Sequence, residues 1–127
     1  MFKRIHHIAI ICSNYERSKD FYVNKLGLEV VREVYRAERR SWKLDLAING
    51  IYKIELFSFE NSPARLSMPE AQGLRHLAFE VDSVKKVSEI LNERGIVTEQ
   101  IRIDEFTGKQ FTFFADPDGL PLEIYQY

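Results

Sequence analysis

His7-Ile8-Ala9-Ile10-Ile11, near the start of the chain, is echoed by His76-Leu77-Ala78-Phe79-Glu80-Val81 in its second half. Each run is apolar, is led by a histidine and carries an alanine two positions later. Outward from these runs the likeness continues. Gly27 follows His7 by 20 positions and Gly95 follows His76 by 19. Glu55 follows His7 by 48 and Glu123 follows His76 by 47. Both glutamates interrupt apolar segments, Lys53-Ile-Glu-Leu and Pro121-Leu-Glu-Ile. One order of residues at one spacing, met twice, indicates an internal duplication.

Each half reads as β-α-β-β-β. Ser13 and Glu16 are spaced as a capping box for a helix beginning near Asn14 that buries Phe21, Tyr22 and Leu26. A second helix begins near Ser83, with Val84, Val87, Ile90 and Leu91 as its apolar stripe. Gly27 and Gly95 then suit the left-handed position just past a helix end. Strands are expected at 28–36, 42–49 and 51–59, and again at 96–104, 109–115 and 120–126. Asn49-Gly50 and Asp116-Pro-Asp-Gly119 are turn signals between strands. Glu60 to Gly73, with Pro63 and Pro69, reads as the connection between a first module over 1–60 and a second over 74–127 of one domain, 1–127. The fold class is α+β, two tandem βαβββ modules.

Strand alternation groups the candidate site. His7 shares a face with Ala9 and Ile11, while His6 falls on the other. His76 shares a face with Ala78, Glu55 with Phe57, and Glu123 with Tyr125. A lone strand His is more often a satisfied structural residue than a ligand, and a lone strand Glu more often faces water. The recurrence of both at matched positions favours ligands, because burying such groups is costly unless something pairs with them. Two neutral imidazoles and two carboxylates neutralise one divalent cation and leave room for water. Ni, Co, Zn, Mn and Fe all suit His7, Glu55, His76 and Glu123.

The bulk properties fit a single soluble domain. The 127 residues are 45% hydrophobic and 29% charged, with a net charge of -1 that points to neither nucleic acid nor a polyanion. The basic stretch Arg36 to Arg40 reads as a solvated loop. No apolar run approaches the roughly 20 residues of a membrane span, and the first residues do not resemble a signal peptide. Cys12 is the single cysteine, so no intrachain disulfide forms. It reads as a small buried hydrophobe in a cytoplasmic protein.

His7-Ile-Ala-Ile, Ser18-Lys-Asp-Phe-Tyr22, Leu26-Gly27, Arg75-His-Leu-Ala-Phe-Glu-Val-Asp82 and Asp116-Pro-Asp-Gly resemble the vicinal oxygen chelate superfamily. This is the glyoxalase I, bleomycin resistance protein and dioxygenase group. The family resemblance implies that the curved mixed sheets of the two modules enclose a metal cavity. The stretch Thr107 to Glu123 and the Ser41-Trp42-Lys43 loop look closest to its small YaeR-like branch. The resemblance implies a glyoxalase I-like lyase or isomerase, since the order His, Glu, His, Glu matches that enzyme. It implies proton abstraction from a small carbonyl compound or thiol adduct through a metal-stabilised enediolate, with Glu123 as base and Glu55 as its pseudo-symmetric partner. Phe57, Lys109 and Tyr125 are candidate substrate contacts. Lys109 and Thr107 could equally be ordinary turn residues.

Two positions depart from the glutathione-using pattern. Ile11 and Gln72 stand where that group commonly carries arginine. A metal-dependent dioxygenase using a subset of the ligands, and a metal or small-molecule binder without turnover, are the competing functions. The resemblance also implies a homodimer in which His7 and Glu55 of one chain meet His76 and Glu123 of the other.

Overall fold

A computed structural model describes all residues, Met1–Tyr127. The chain forms two compact units, Met1–Ala64 and Arg65–Tyr127. No helix is long and apolar enough to cross a membrane.

The first unit contains β1 (Ile8–Cys12), α1 (Tyr15–Lys19), β2 (Glu29–Arg36), β3 (Ser41–Ile48) and β4 (Ile51–Ser58). The sheet order is β1-β4-β3-β2, with β1 parallel to β4 and the other pairs antiparallel. The hairpin between β3 and β4 turns on Asn49 and Gly50, both at positive φ (50° and 72°), which such a two-residue turn requires. Ile10, Cys12, Leu44, Leu46, Ile54 and Leu56 bury one sheet face together with Tyr15, Phe21 and Tyr22. This spacing by twos on three strands leaves the opposite face for polar residues.

The start of α1 differs from the expected capping box. Asn14, in extended conformation, is the cap, and its side chain accepts from the Arg17 N–H at 3.0 Å. That puts Glu16 one position too early to reach back. After Lys19 the helix widens into a π-helical turn over Asp20–Lys25, closed by the Leu26 N–H donating to the Phe21 carbonyl at 2.9 Å. The wider turn leaves Leu26 only half-buried while Phe21 and Tyr22 are buried as expected.

Tyr15 fastens α1 to the sheet. Its ring stacks on Trp42 at 5.1 Å and its hydroxyl donates to Glu33 at 2.5 Å. Burial, then Glu33, pushes this phenol well above its usual pKa. Glu33 also accepts from Lys19 at 2.6 Å. The bonds from Lys19 and Tyr15 hold its carboxyl below the usual glutamate value, and partial burial does not reverse them. A carboxylate depressed in the folded state stabilises above its unfolded pKa, and that contribution is lost as pH falls through the folded value. Glu33→Gln is expected to lower the melting temperature at neutral pH, with the gap closing as the pH drops below 4.5. Thermal melts across that range check it. A gap that stays constant into the acid range would assign the loss to packing instead.

The second unit contains β5 (Leu77–Val81), α2 (Val84–Glu93), β6 (Arg102–Ile103), β7 (Gln110–Ala115) and β8 (Pro121–Gln126). Its order β5-β8-β7-β6, with β5 parallel to β8, repeats the first sheet. Ser83 caps α2 by accepting from the Lys86 N–H at 3.3 Å, and Gly95 follows at φ 79°. The buried stripe of α2 is Val84, Ser88 and Leu91, with Ile90 43% exposed. Ser88 occupies the inner position because its hydroxyl pairs with Thr98 at 2.6 Å.

The expected strand over 96–104 shrinks to two residues. Thr112 Oγ1 donates to the Glu99 carbonyl at 2.8 Å and lies 3.4 Å from that of Gln100. A side-chain hydroxyl thus takes carbonyls that a regular ladder would use. The Glu99 N–H still donates to Phe113 at 2.8 Å, so the segment follows β7 without a continuous ladder.

Candidate metal centre

Registration of the parallel pairs explains the two alanines. Ala9 is the cross-strand partner of Glu55, and Ala78 is the partner of Glu123. His7 and His76 each stand two residues earlier on the same side, so each glutamate leans diagonally past an alanine methyl toward a histidine. His7 Nε2 lies 3.5 Å from Glu55 Oε2, and His76 Nε2 lies 3.0 Å from Glu123 Oε2. Each unit therefore joins one histidine and one glutamate of the sequence-derived set. Neither unit alone gathers three His, Cys, Asp or Glu side chains that could hold an ion.

The surroundings of the two glutamates differ. Asp45 on β3 is the partner of Glu55, and Lys43 is the partner of Phe57. The corresponding positions on β7 are Phe113, opposite Glu123, and Phe111, opposite Tyr125. Glu55 Oε1 accepts from the Tyr52 hydroxyl and sits 3.0 Å from Lys43 Nζ. Lys43 also reaches Asp45 at 2.5 Å, and Asp45 pairs with Arg32 at 3.3 Å. Burial alone would raise the Glu55 pKa, but the bonds from Tyr52 and Lys43 outweigh it and the carboxyl is lowered. Burial likewise opposes the charge on Lys43, yet Asp45 and Glu55 leave its pKa raised. Tyr52 is pushed upward by burial and by Glu55.

Glu123, 9% exposed, has no such cation. Its partner is His76, whose ring meets Phe113 edge-on at 5.1 Å. Each carboxylate thus faces a histidine, and only Glu55 also has a lysine, Lys43, within bonding distance.

The donor chemistry fits a divalent ion. Glu55 keeps Oε2 turned toward His7 while Oε1 is held, and Glu123 lacks any competing cation. His6 adds a support that strand alternation hides. Because β1 begins at Ile8, His6 is not on an opposed strand face, and its Nδ1 lies 2.9 Å from His7 Nδ1. A bond at Nδ1 orients the ring and leaves Nε2 for a ligand role.

The candidate substrate contacts have distinct settings. The Phe57 ring stacks on Phe59 at 6.0 Å. Tyr125 bonds Thr107 and, at 3.1 Å, Asp104, and stacks on Phe111 at 6.4 Å. Lys109 Nζ lies 5.7 Å from the centre of the Tyr127 ring. Sequence reasoning did not find Lys43, Asp45, Tyr52 or His6. Alternation of polar residues at 41, 43 and 45 marks Lys43 and Asp45 as sharing a face. Nothing local marks Tyr52.

Residues 4–124 match the model of the Glyoxalase/Bleomycin resistance protein/Dioxygenase superfamily. The chain is 63% identical over 126 residues to YwkD of Bacillus subtilis (strain 168), covering 99% of this chain and 98% of that protein. It is 56% identical over 124 residues to YaeR of Escherichia coli (strain K12), covering 98% and 96%. The crystal structure of the glyoxalase family protein from Enterococcus faecalis matches with a TM-score of 0.91 at 56% identity, covering 98% of both chains. Two sheets of one strand order, a paired His and Glu in each, and these matches place the chain in the glyoxalase/bleomycin resistance protein/dioxygenase superfamily.

Proposed function

We propose that the protein is a metal-dependent lyase or isomerase of glyoxalase I type. On this reading it removes a proton from carbon beside a carbonyl in a small carbonyl compound or thiol adduct. The observation that carries the reading is the asymmetry in the surroundings of the two glutamates, Glu55 half-buried and bonded to Lys43 and Glu123 buried without such a cation. Members of the superfamily often bind a divalent metal, and His7, Glu55, His76 and Glu123 would hold one here. When bound, the ion supplies charge neutralisation and polarisation of substrate oxygen.

The residues then divide the work. Glu55, held on Oε1 by Tyr52 and Lys43, stays ionised and acts as a fixed ligand. Glu123, without a bonded cation, is free to take the proton. His6 orients His7, and Phe57 and Tyr125 provide apolar walls that exclude water.

Metal analysis of protein purified without added metal tests this. One divalent ion per chain is expected, with isomerisation of a hemithioacetal lost on chelator treatment and restored by added metal. Oxygen uptake with a catechol in the restored protein would instead favour a dioxygenase. Full activity of the stripped protein would sink the metal-dependent reading.

A further inference from the structure

One cation on the Glu55 face of the first sheet belongs to no ion pair. Arg36, at the end of β2, lays its guanidinium 4.8 Å from the centre of the Phe57 ring and 5.6 Å from that of Phe59. Its Nη2 donates to Ser41 Oγ at 2.7 Å, and its Nε is buried without a partner. Lys43 approaches the same Phe57 ring at 5.9 Å, but it is already bound to Asp45 and Glu55. Arg32 is bound to Asp45. Three cations thus meet two carboxylates, and the charge left over sits on Arg36.

Strand geometry fixes where this charge stands relative to Glu55. Phe57 is two residues further along the same face of β4, about 7 Å away. A guanidinium over an aromatic ring still donates in its own plane; with Nη2 on Ser41 and Nε buried, Nη1 is the nitrogen left to meet a carboxylate or phosphate oxygen. Ile11, the cross-strand neighbour of Phe57, gives that place an apolar flank.

We infer that Arg36 binds an anionic group of the substrate, a carboxylate or phosphate joined by a short carbon chain to the oxygens that reach the metal. This rests on the proposed metal-dependent reading and narrows its substrate to small anionic carbonyl compounds. Phe57 supports the guanidinium and Ser41 fixes its rotation.

The test compares three probes on the metal-loaded protein by calorimetry: acetohydroxamate, which has two vicinal oxygens and no tail, succinic monohydroxamate and phosphonoacetohydroxamate. A tailed probe should bind roughly tenfold or more tightly than acetohydroxamate, the scale of a charged hydrogen bond. The preferred tail tells carboxylate from phosphate. In Arg36→Ala the ratio should collapse toward one, with circular dichroism melting to confirm folding. Equal affinities in the unmodified protein, or a ratio that survives Arg36→Ala, would overturn the inference. A separate arm titrates inorganic phosphate into metal-free protein and follows the Arg36 Nε–H resonance. If no hydroxamate binds but phosphate moves that resonance, the anion site stands and the metal reading fails. If neither occurs, both fail.

Discussion

Glu123→Gln is expected to cut kcat by roughly 10²–10⁴-fold, the usual contribution of a positioned general base. Metal affinity should fall far less, because the amide still offers an oxygen ligand. The expectation follows from the surroundings of the two glutamates. Glu55 is bonded by Tyr52 and Lys43, which stabilise its charged form and so weaken it as a proton acceptor. Glu123 is buried with His76 as its partner and aromatic rings across the strand. Glu55→Gln is the matching control and should be milder in kcat. Metal titration and steady-state kinetics on both variants separate the roles. Wild-type turnover in Glu123→Gln would show that the base is elsewhere.

Mixing two inactive variants is expected to restore activity. His7→Ala and His76→Ala should each lose metal and turnover, since a divalent site keeps three or more protein ligands and each variant removes one. Each unit supplies two donors. We propose that a second chain completes each site, in a symmetric homodimer with two equivalent sites. A heterodimer of the two variants then has one site with all four ligands and one without either histidine. Purified heterodimer should show about half the activity of the unmodified dimer. If sites form within one chain, both sites of the heterodimer remain broken and mixing restores nothing. Sedimentation of metal-loaded protein is the companion measurement, and a monomer with normal metal affinity would rule out shared sites.

Most of the architecture was legible because it rests on local signals. The hairpin at Asn49-Gly50, the cap at Ser83 and the left-handed glycines at 27 and 95 depend on a few adjacent residues. The misplaced features depend on competition at a distance. Thr112 takes the carbonyls of Glu99 and Gln100 and dissolves most of an expected strand. Ser88 joins the buried stripe through its bond to Thr98, while Ile90 stays exposed. Neither contact leaves a trace in the hydrophobic pattern.

The same division governs the site. The sequence by itself determined the duplication, the α+β class and the pairing of one histidine with one glutamate in each half. Those follow from a spacing repeated twice and from side chains that alternate every two residues. Only the tertiary structure decided what surrounds each glutamate. Simple alternation puts Tyr52, three residues before Glu55, on the opposite face. A register shift opposite Leu46 and Ala47, with Lys53 as the extra residue, turns Tyr52 back to it. Cross-strand register likewise sets Lys43 and Asp45 beside Glu55 but Phe111 and Phe113 beside Glu123. A bulge and a register are properties of paired strands, fixed by hydrogen bonds between distant segments, so the one-dimensional pattern does not contain them.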